Sequence, residues 1–99
     1  MKSYHVEGIG YDFIPEVLNR DFVDQWVKTN DTESFKWVRQ LIREEGLLCG
    51  GSAGSALQAA MVAAQDLGPN DNCVMIFADG VRNYMTKFME PNWLKENGF

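Results

Sequence analysis

The residues best placed to do chemistry lie in EGLLCGGSAGS, residues 45–55, where Ser52 sits among Gly50, Gly51, Ala53 and Gly54. A serine alone would cap a helix well, while glycine weakens a helix start. The glycines therefore point to something that comes close to the backbone. At a helix N-terminus, free N–H groups and the positive dipole end can hold an anion, and a hydroxyl there can meet a ring nitrogen. A tight connection between two helices would use the same glycines, and the residues alone leave both readings open. The stretch is not a Walker loop, because no Lys-Ser/Thr follows its last glycine. Gly8-Ile9-Gly10 lacks the third glycine of a dinucleotide fingerprint and reads as a turn with positive φ or a close backbone approach. Tyr11 and Asp12 follow it within reach of a ligand, although a solvated loop is the simpler reading. Asp79 and Arg82 follow an apolar run and could bind a carboxylate or each other, the ion pair being the commoner outcome. His5 has no Ser or Cys partner that would complete a triad. Cys49 and Cys73 form no CxxC pair and have only His5 as an imidazole partner, so no metal site is expected. Two reduced thiols fit an intracellular chain, with a single disulfide left open.

These residues need elements to position them. Asp31 is a good N-cap for a helix over residues 32–45, with Phe35, Val38, Leu41 and Ile42 on one stripe and Lys36, Arg39, Gln40 and Arg43 facing water. Gly46 stops it. A second helix over residues 53–66, with Ser52 as N-cap, is apolar on nearly every face and so is expected to be buried on most sides. GPND, residues 68–71, ends it. CVMIFA, residues 73–78, is a continuous apolar run, the pattern of a strand covered on both faces in a parallel sheet. Tyr4–Val6 leans towards strand. Residues 16–29 are ambiguous, since helical spacing, a turn at Asn19-Arg20-Asp21 and the β-formers of FVDQWV compete. The tail from Val81 reads as short helices broken at Pro91. The order of elements is that of an α/β protein, yet the strands are too few for the sheet that the second helix requires. The chain is therefore expected to be part of a larger fold. In open α/β sheets ligands sit beyond the carboxyl ends of strands, which makes both glycine loops and the Asp79 turn candidate rims of a site.

The bulk properties bound the function. Ninety-nine residues allow one domain, and 45% hydrophobic with 23% charged residues is a globular balance. A net charge of −5 argues against nucleic acid or anionic membranes as partners. No run is long and apolar enough to span a bilayer, and the first residues carry no apolar signal region. A cytoplasmic protein is expected.

VEGIGYDFIP, EGLLCGGSAGS and VRNYMTKF, in this order and spacing, closely resemble the later part of the catalytic core of the cysteine synthase/cystathionine β-synthase family. Its cystathionine β-synthase branch is the nearer, because the cysteine synthases are not expected to carry GYDFIP together with RNYMTKF. The resemblance covers essentially the whole chain. It implies a fold of the tryptophan-synthase-β type (fold type II), α/β in αβα layers with a mostly parallel sheet, of which residues 1–99 are the later part of a pyridoxal-phosphate-dependent catalytic domain. The strand expected at residues 23–28 comes from this resemblance.

By the same resemblance, Ser52 matches the serine whose hydroxyl hydrogen-bonds the pyridine nitrogen of pyridoxal 5'-phosphate. A neutral partner there limits the electron sink and favours β-elimination and β-replacement. Gly8, Ile9, Gly10 and Tyr11 match the loop on the substrate side, and Asp79 matches an acidic position near the pyridine end. Ala78 departs from the family pattern, in which proline commonly precedes this aspartate. The Schiff-base lysine, the Gly/Thr-rich phosphate loop and the asparagine at the ring oxygen are expected upstream of this chain. The lysines at 2, 28, 36, 87 and 95 match none of these motifs, so no residue of the chain is expected to be catalytic. The haem ligands of animal members are also expected upstream, and the S-adenosylmethionine module downstream. The implied activity of the whole enzyme is condensation of L-serine with L-homocysteine to L-cystathionine in transsulfuration, by a homo-oligomer. The alternatives are a truncated, non-catalytic partner of the full-length enzyme, or the related cysteine synthase.

Overall fold

The computed structural model describes residues 4–10 and 12–99. Its two long helices are α1 (Asp31–Glu45) and α2 (Gly51–Ala63), and a short α3 (Pro91–Glu96) lies near the C-terminus. Single 3-10 turns occupy Arg20–Phe22 and Val81–Tyr84.

Helix α1 forms for the reasons its sequence gives, with a different cap. Asn30 is the N-cap, its side chain accepting from the Glu33 N–H at 2.9 Å. Asp31 is thereby released, and its carboxylate instead accepts the N–H groups of His5 and Val6, tying the N-terminal segment to the helix. Phe35, Val38 and Leu41 are buried as the stripe requires. Gly46 ends the helix in the left-handed conformation at φ 68°, its N–H donating to the Ile42 carbonyl.

Helix α2 starts earlier than its sequence suggests. Gly50 is the N-cap and no side chain caps the helix, so Ser52 lies within its first turn. Its buried face is Gly51, Ala53, Gly54 and Ser55, set against α1. A Cβ at Gly54 would overlap the Ser34 carbonyl oxygen and come within 3.0 Å of the Val38 nitrogen. The hydroxyls of Ser34 and Ser55 meet at 2.7 Å in this buried contact. Gly54 therefore exists for a neighbouring helix. The far side of α2 is less covered than expected, and Met61 and Val62 face solvent. The chain after α2 packs on α1 instead.

That packing makes the core. Phe35 stacks on Phe88 with centroids 5.6 Å apart, and Phe88 stacks on Tyr84 at 5.4 Å. Trp93 and Phe99 meet Phe35 edge-on at 5.6 Å and 5.0 Å. Pro91 begins α3 rather than breaking a helix, since a proline at the first position loses no needed N–H.

The mostly parallel sheet is not seen among the described residues. Among the described residues no strand is paired, and the β-type contact is one isolated antiparallel bridge, Cys49 with Gly80. The run at 73–78 leaves Val74 90% and Ile76 83% exposed on one face while Phe77 on the other packs against the core, so it is not covered on both faces as a strand of a parallel sheet would be. Residues 23–28 and Tyr4–Val6 are likewise unpaired. The reason is physical: a strand is stabilised by neighbours on its edges and layers on its faces, and these residues supply neither. At 16–29 the turn at Asn19 prevails, with its side chain accepting from the Asp21 N–H at 3.0 Å.

Candidate functional site

Two glycine loops and one aspartate turn carry the sequence-derived site, and the structure joins two of the three directly. Leu48–Gly50 runs beside Asp79–Val81. The Gly50 N–H donates to the Asp79 carbonyl at 3.0 Å, and the Val81 N–H to the Leu48 carbonyl at 3.1 Å. A Cβ at Gly50 would overlap the Asp79 carboxylate and lie 2.9 Å from the Tyr84 ring. Gly50 thus admits the aspartate, as Gly54 admits α1. Gly50 and Gly54 are accounted for by these two neighbours, and a Cβ at Gly51 would press on the Phe35 ring at 3.3 Å.

Ser52 itself is half-buried on the first turn of α2. Among the described residues nothing bonds its hydroxyl, and the N–H groups of Gly51 and Ser52 have no acceptor. Among the described residues no cationic side chain is bonded or paired with this turn. A neutral hydroxyl with spare donor and acceptor capacity suits a ring nitrogen. Among the described residues this turn offers one free hydroxyl and two free N–H groups, and no lysine or arginine is bonded to it.

Asp79 pairs with a residue that sequence reasoning missed. Its Oδ2 accepts a hydrogen bond from the Tyr84 hydroxyl at 2.7 Å, whereas no ion pair with Arg82 forms among the described residues. This bond, then burial and the negative charges of Asp79 and Glu7, push the Tyr84 hydroxyl up to about 12, so it remains a donor. A tyrosine just beyond an aspartate turn has an apolar body for the core and a polar tip for the turn, but nothing local in the sequence singles it out over Arg82. Cys49, beside the same turn, is buried, and burial first, with the Asp79 charge adding to it, pushes its thiol pKa up. A protonated, buried thiol is a packing residue rather than a nucleophile.

The other loop lies at residues 8–10. Gly8 and Gly10 both take positive φ, 84° and 68°, as a glycine turn requires. Ile9 is half-buried against the core, and Tyr11 lies outside the described residues. Glu7, next to the loop, forms an ion pair with Lys87, so that lysine is engaged. His5 packs edge-on against Trp93 and Phe99, a structural role. Cys49 and Cys73 are free thiols, and among the described residues no group of His, Cys, Asp and Glu is placed to hold a metal. No helix among the described residues is long and apolar enough to cross a membrane.

An open groove of about 370 Å³ is lined by the alanines of α2 together with Val27, Cys73, Val74 and Met75, so that both segments expected to be strands contribute to it.

Comparison with known proteins adds a separate line. A family model described as "Pyridoxal-phosphate dependent enzyme" matches residues 1–79. Cystathionine beta-synthase of Dictyostelium discoideum is 60% identical over 98 residues, covering 99% of this chain and 20% of that protein. The rat (Rattus norvegicus) cystathionine beta-synthase is 57% identical over 97 residues, 98% of this chain and 17% of that protein. The O-acetylserine dependent cystathionine beta-synthase of Bacillus subtilis is 34% identical over 85 residues, 86% of this chain and 28% of that protein. The chain thus spans less than a third of the length of each of these relatives.

Proposed function

The chain belongs to the pyridoxal-phosphate dependent enzyme family, and from that premise we propose that residues 1–99 are the later part of a fold type II catalytic domain that condenses L-serine with L-homocysteine to L-cystathionine. The observation that carries this reading is the near-complete match of the chain to cystathionine beta-synthases, with the loops at Gly8, Ser52 and Asp79 all inside it. Pyridoxal 5'-phosphate, when bound, would stabilise the electron pair left at the serine α-carbon when its proton is removed, which would let hydroxide leave Cβ, forming water with that proton, and the homocysteine thiol add its sulfur to Cβ and a proton to Cα.

In this reading the chain's own residues bind and orient. The Ser52 hydroxyl meets the ring nitrogen as a neutral partner, supported by its unengaged position on the first turn of α2. Asp79 stands near the same ring edge, and Gly8, Ile9, Gly10 and Tyr11 border the substrate. The phosphate and the covalent anchor are held by residues outside this chain, in keeping with the lack of a cationic cradle at α2. The parallel sheet belongs to the assembled domain. Residues 23–28 and 73–78 would be two of its strands, and the groove they line together with α2 leaves room for another segment. The complete enzyme would be a homo-oligomer in the cytoplasm, a reducing compartment that suits the free thiols of Cys49 and Cys73.

The test is an assay of the protein expressed from the complete reading frame containing these residues, supplied with pyridoxal phosphate. Cystathionine formed from serine and homocysteine is the expected product. Cysteine formed from O-acetylserine and sulfide, with no cystathionine from serine, would assign the chain to the cysteine synthases instead. No turnover of either pair would favour a non-catalytic partner.

A further inference from the structure

The start of α2 has no side-chain cap and carries two glycines, so its position must be fixed from outside the helix. The groups that fix it come from the turn at Asp79 and the segment after it. Gly50 and Asp79 are joined through the main chain, and the Asp79 carboxylate lies against Gly50, two residues before Ser52. The Tyr84 hydroxyl donates to that carboxylate at 2.7 Å. The Tyr84 ring is buried and stacks on Phe88, which stacks on Phe35 of α1. A rigid aromatic column rising from α1 thus ends in one hydroxyl aimed at Asp79. One turn further along, the Lys87 N–H donates to the Tyr84 carbonyl at 3.0 Å, and the Lys87 ammonium pairs with Glu7 next to Gly8. A single turn of chain therefore touches both glycine loops.

On the reading given above, in which Ser52 faces the cofactor ring, we propose that Tyr84 is a positioning residue of that site: through Asp79 it fixes the turn from which α2 starts and so sets the placement of the Ser52 hydroxyl. Removing the Tyr84 hydroxyl keeps the aromatic column but frees the Asp79 carboxylate. The turn then has only its main-chain bonds and two glycines to define it.

The experiment uses the complete protein loaded with pyridoxal phosphate and reads the absorption maximum and Kd of the bound cofactor alongside the melting temperature. The variants are Tyr84→Phe, Ser52→Ala, the two combined, and Gly50→Ala, whose methyl would meet both the Asp79 carboxylate and the Tyr84 ring and so disturbs the same contact without removing the hydroxyl. Tyr84→Phe is expected to shift the absorption in the same direction as Ser52→Ala and to raise Kd by about three- to tenfold, the scale of one hydrogen bond. The combined variant should be little worse than Ser52→Ala, because Tyr84 acts through Ser52. Gly50→Ala should reproduce the shift, and it decides the matter if Tyr84→Phe does not fold. A Tyr84→Phe protein with a lowered melting temperature but wild-type absorption and Kd would overturn the positioning role, as would full additivity with Ser52→Ala. A wild-type protein that binds no pyridoxal phosphate would remove the cofactor reading and this role with it.

Discussion

The bond from Tyr84 to Asp79 gives the residue scale its clearest pH signature. The Tyr84 hydroxyl is raised from its ordinary 10 to about 12, so the folded state holds its proton more tightly than the unfolded state does. Its contribution to stability is complete below pH about 10 and is lost as pH rises towards about 12. Thermal melting across that window should show a decline that Tyr84→Phe lacks, and an identical decline in the variant would deny the bond. The two thiols make a second prediction. Cys49 is buried with its thiol pKa raised, while Cys73 is exposed. A thiol reagent at neutral pH should modify Cys73 quickly and Cys49 only on unfolding, which mass spectrometry of the labelled peptides checks. At this scale the sequence displayed Ser52, the positive-φ glycines and Asp79, because each sits in a short pattern with its own stereochemical signature. It hid the partner of Asp79. An aspartate near an arginine suggests an ion pair, and only the fold brings a tyrosine closer.

Among the elements, α1 was legible almost to the residue, since a stripe, a cap and a terminal glycine all act locally. The N-cap moved by one residue because Asp31 found N–H groups at His5 and Val6, a contact no local pattern encodes. The strands were not realised for the opposite reason: a strand depends on partners distant in sequence, and residues 73–78 find none here. Helix α2 tests the meaning of the glycines. Gly54→Ala would place a methyl on the Ser34 carbonyl and force α1 and α2 apart. Overpacking of this kind costs about 1–3 kcal/mol. The melting temperature should fall, and Ser34→Ala should not rescue it, since the clash is with the main chain. An unchanged melting temperature would mean that the two helices do not approach as closely as described.

For the whole molecule, the radius of gyration is 14.5 Å, against about 13 Å expected for a compact domain of 100 residues. The body is flattened, 40 × 36 × 21 Å, and leaves Phe13, Val17, Phe22, Trp26, Val74 and Ile76 exposed. So much apolar surface favours association or a loosely packed state. The chain on its own should bind a hydrophobic dye and elute as an assembly. A sharp cooperative melt of a dye-free monomer would contradict this and weaken the case for a missing sheet. The central claim, that this chain brings Ser52 to the ring nitrogen of pyridoxal phosphate, is tested most directly by Ser52→Ala in the complete protein. Turnover and melting temperature are measured together. Ser52 is not the N-cap of α2, so its hydroxyl should matter little to folding. Loss of a hydrogen bond to a buried ring nitrogen costs about 1–3 kcal/mol, and in the transition state that is roughly a five- to hundredfold loss of turnover. Turnover reduced on that scale at an unchanged melting temperature is the predicted result, and unchanged turnover would remove Ser52 from the site.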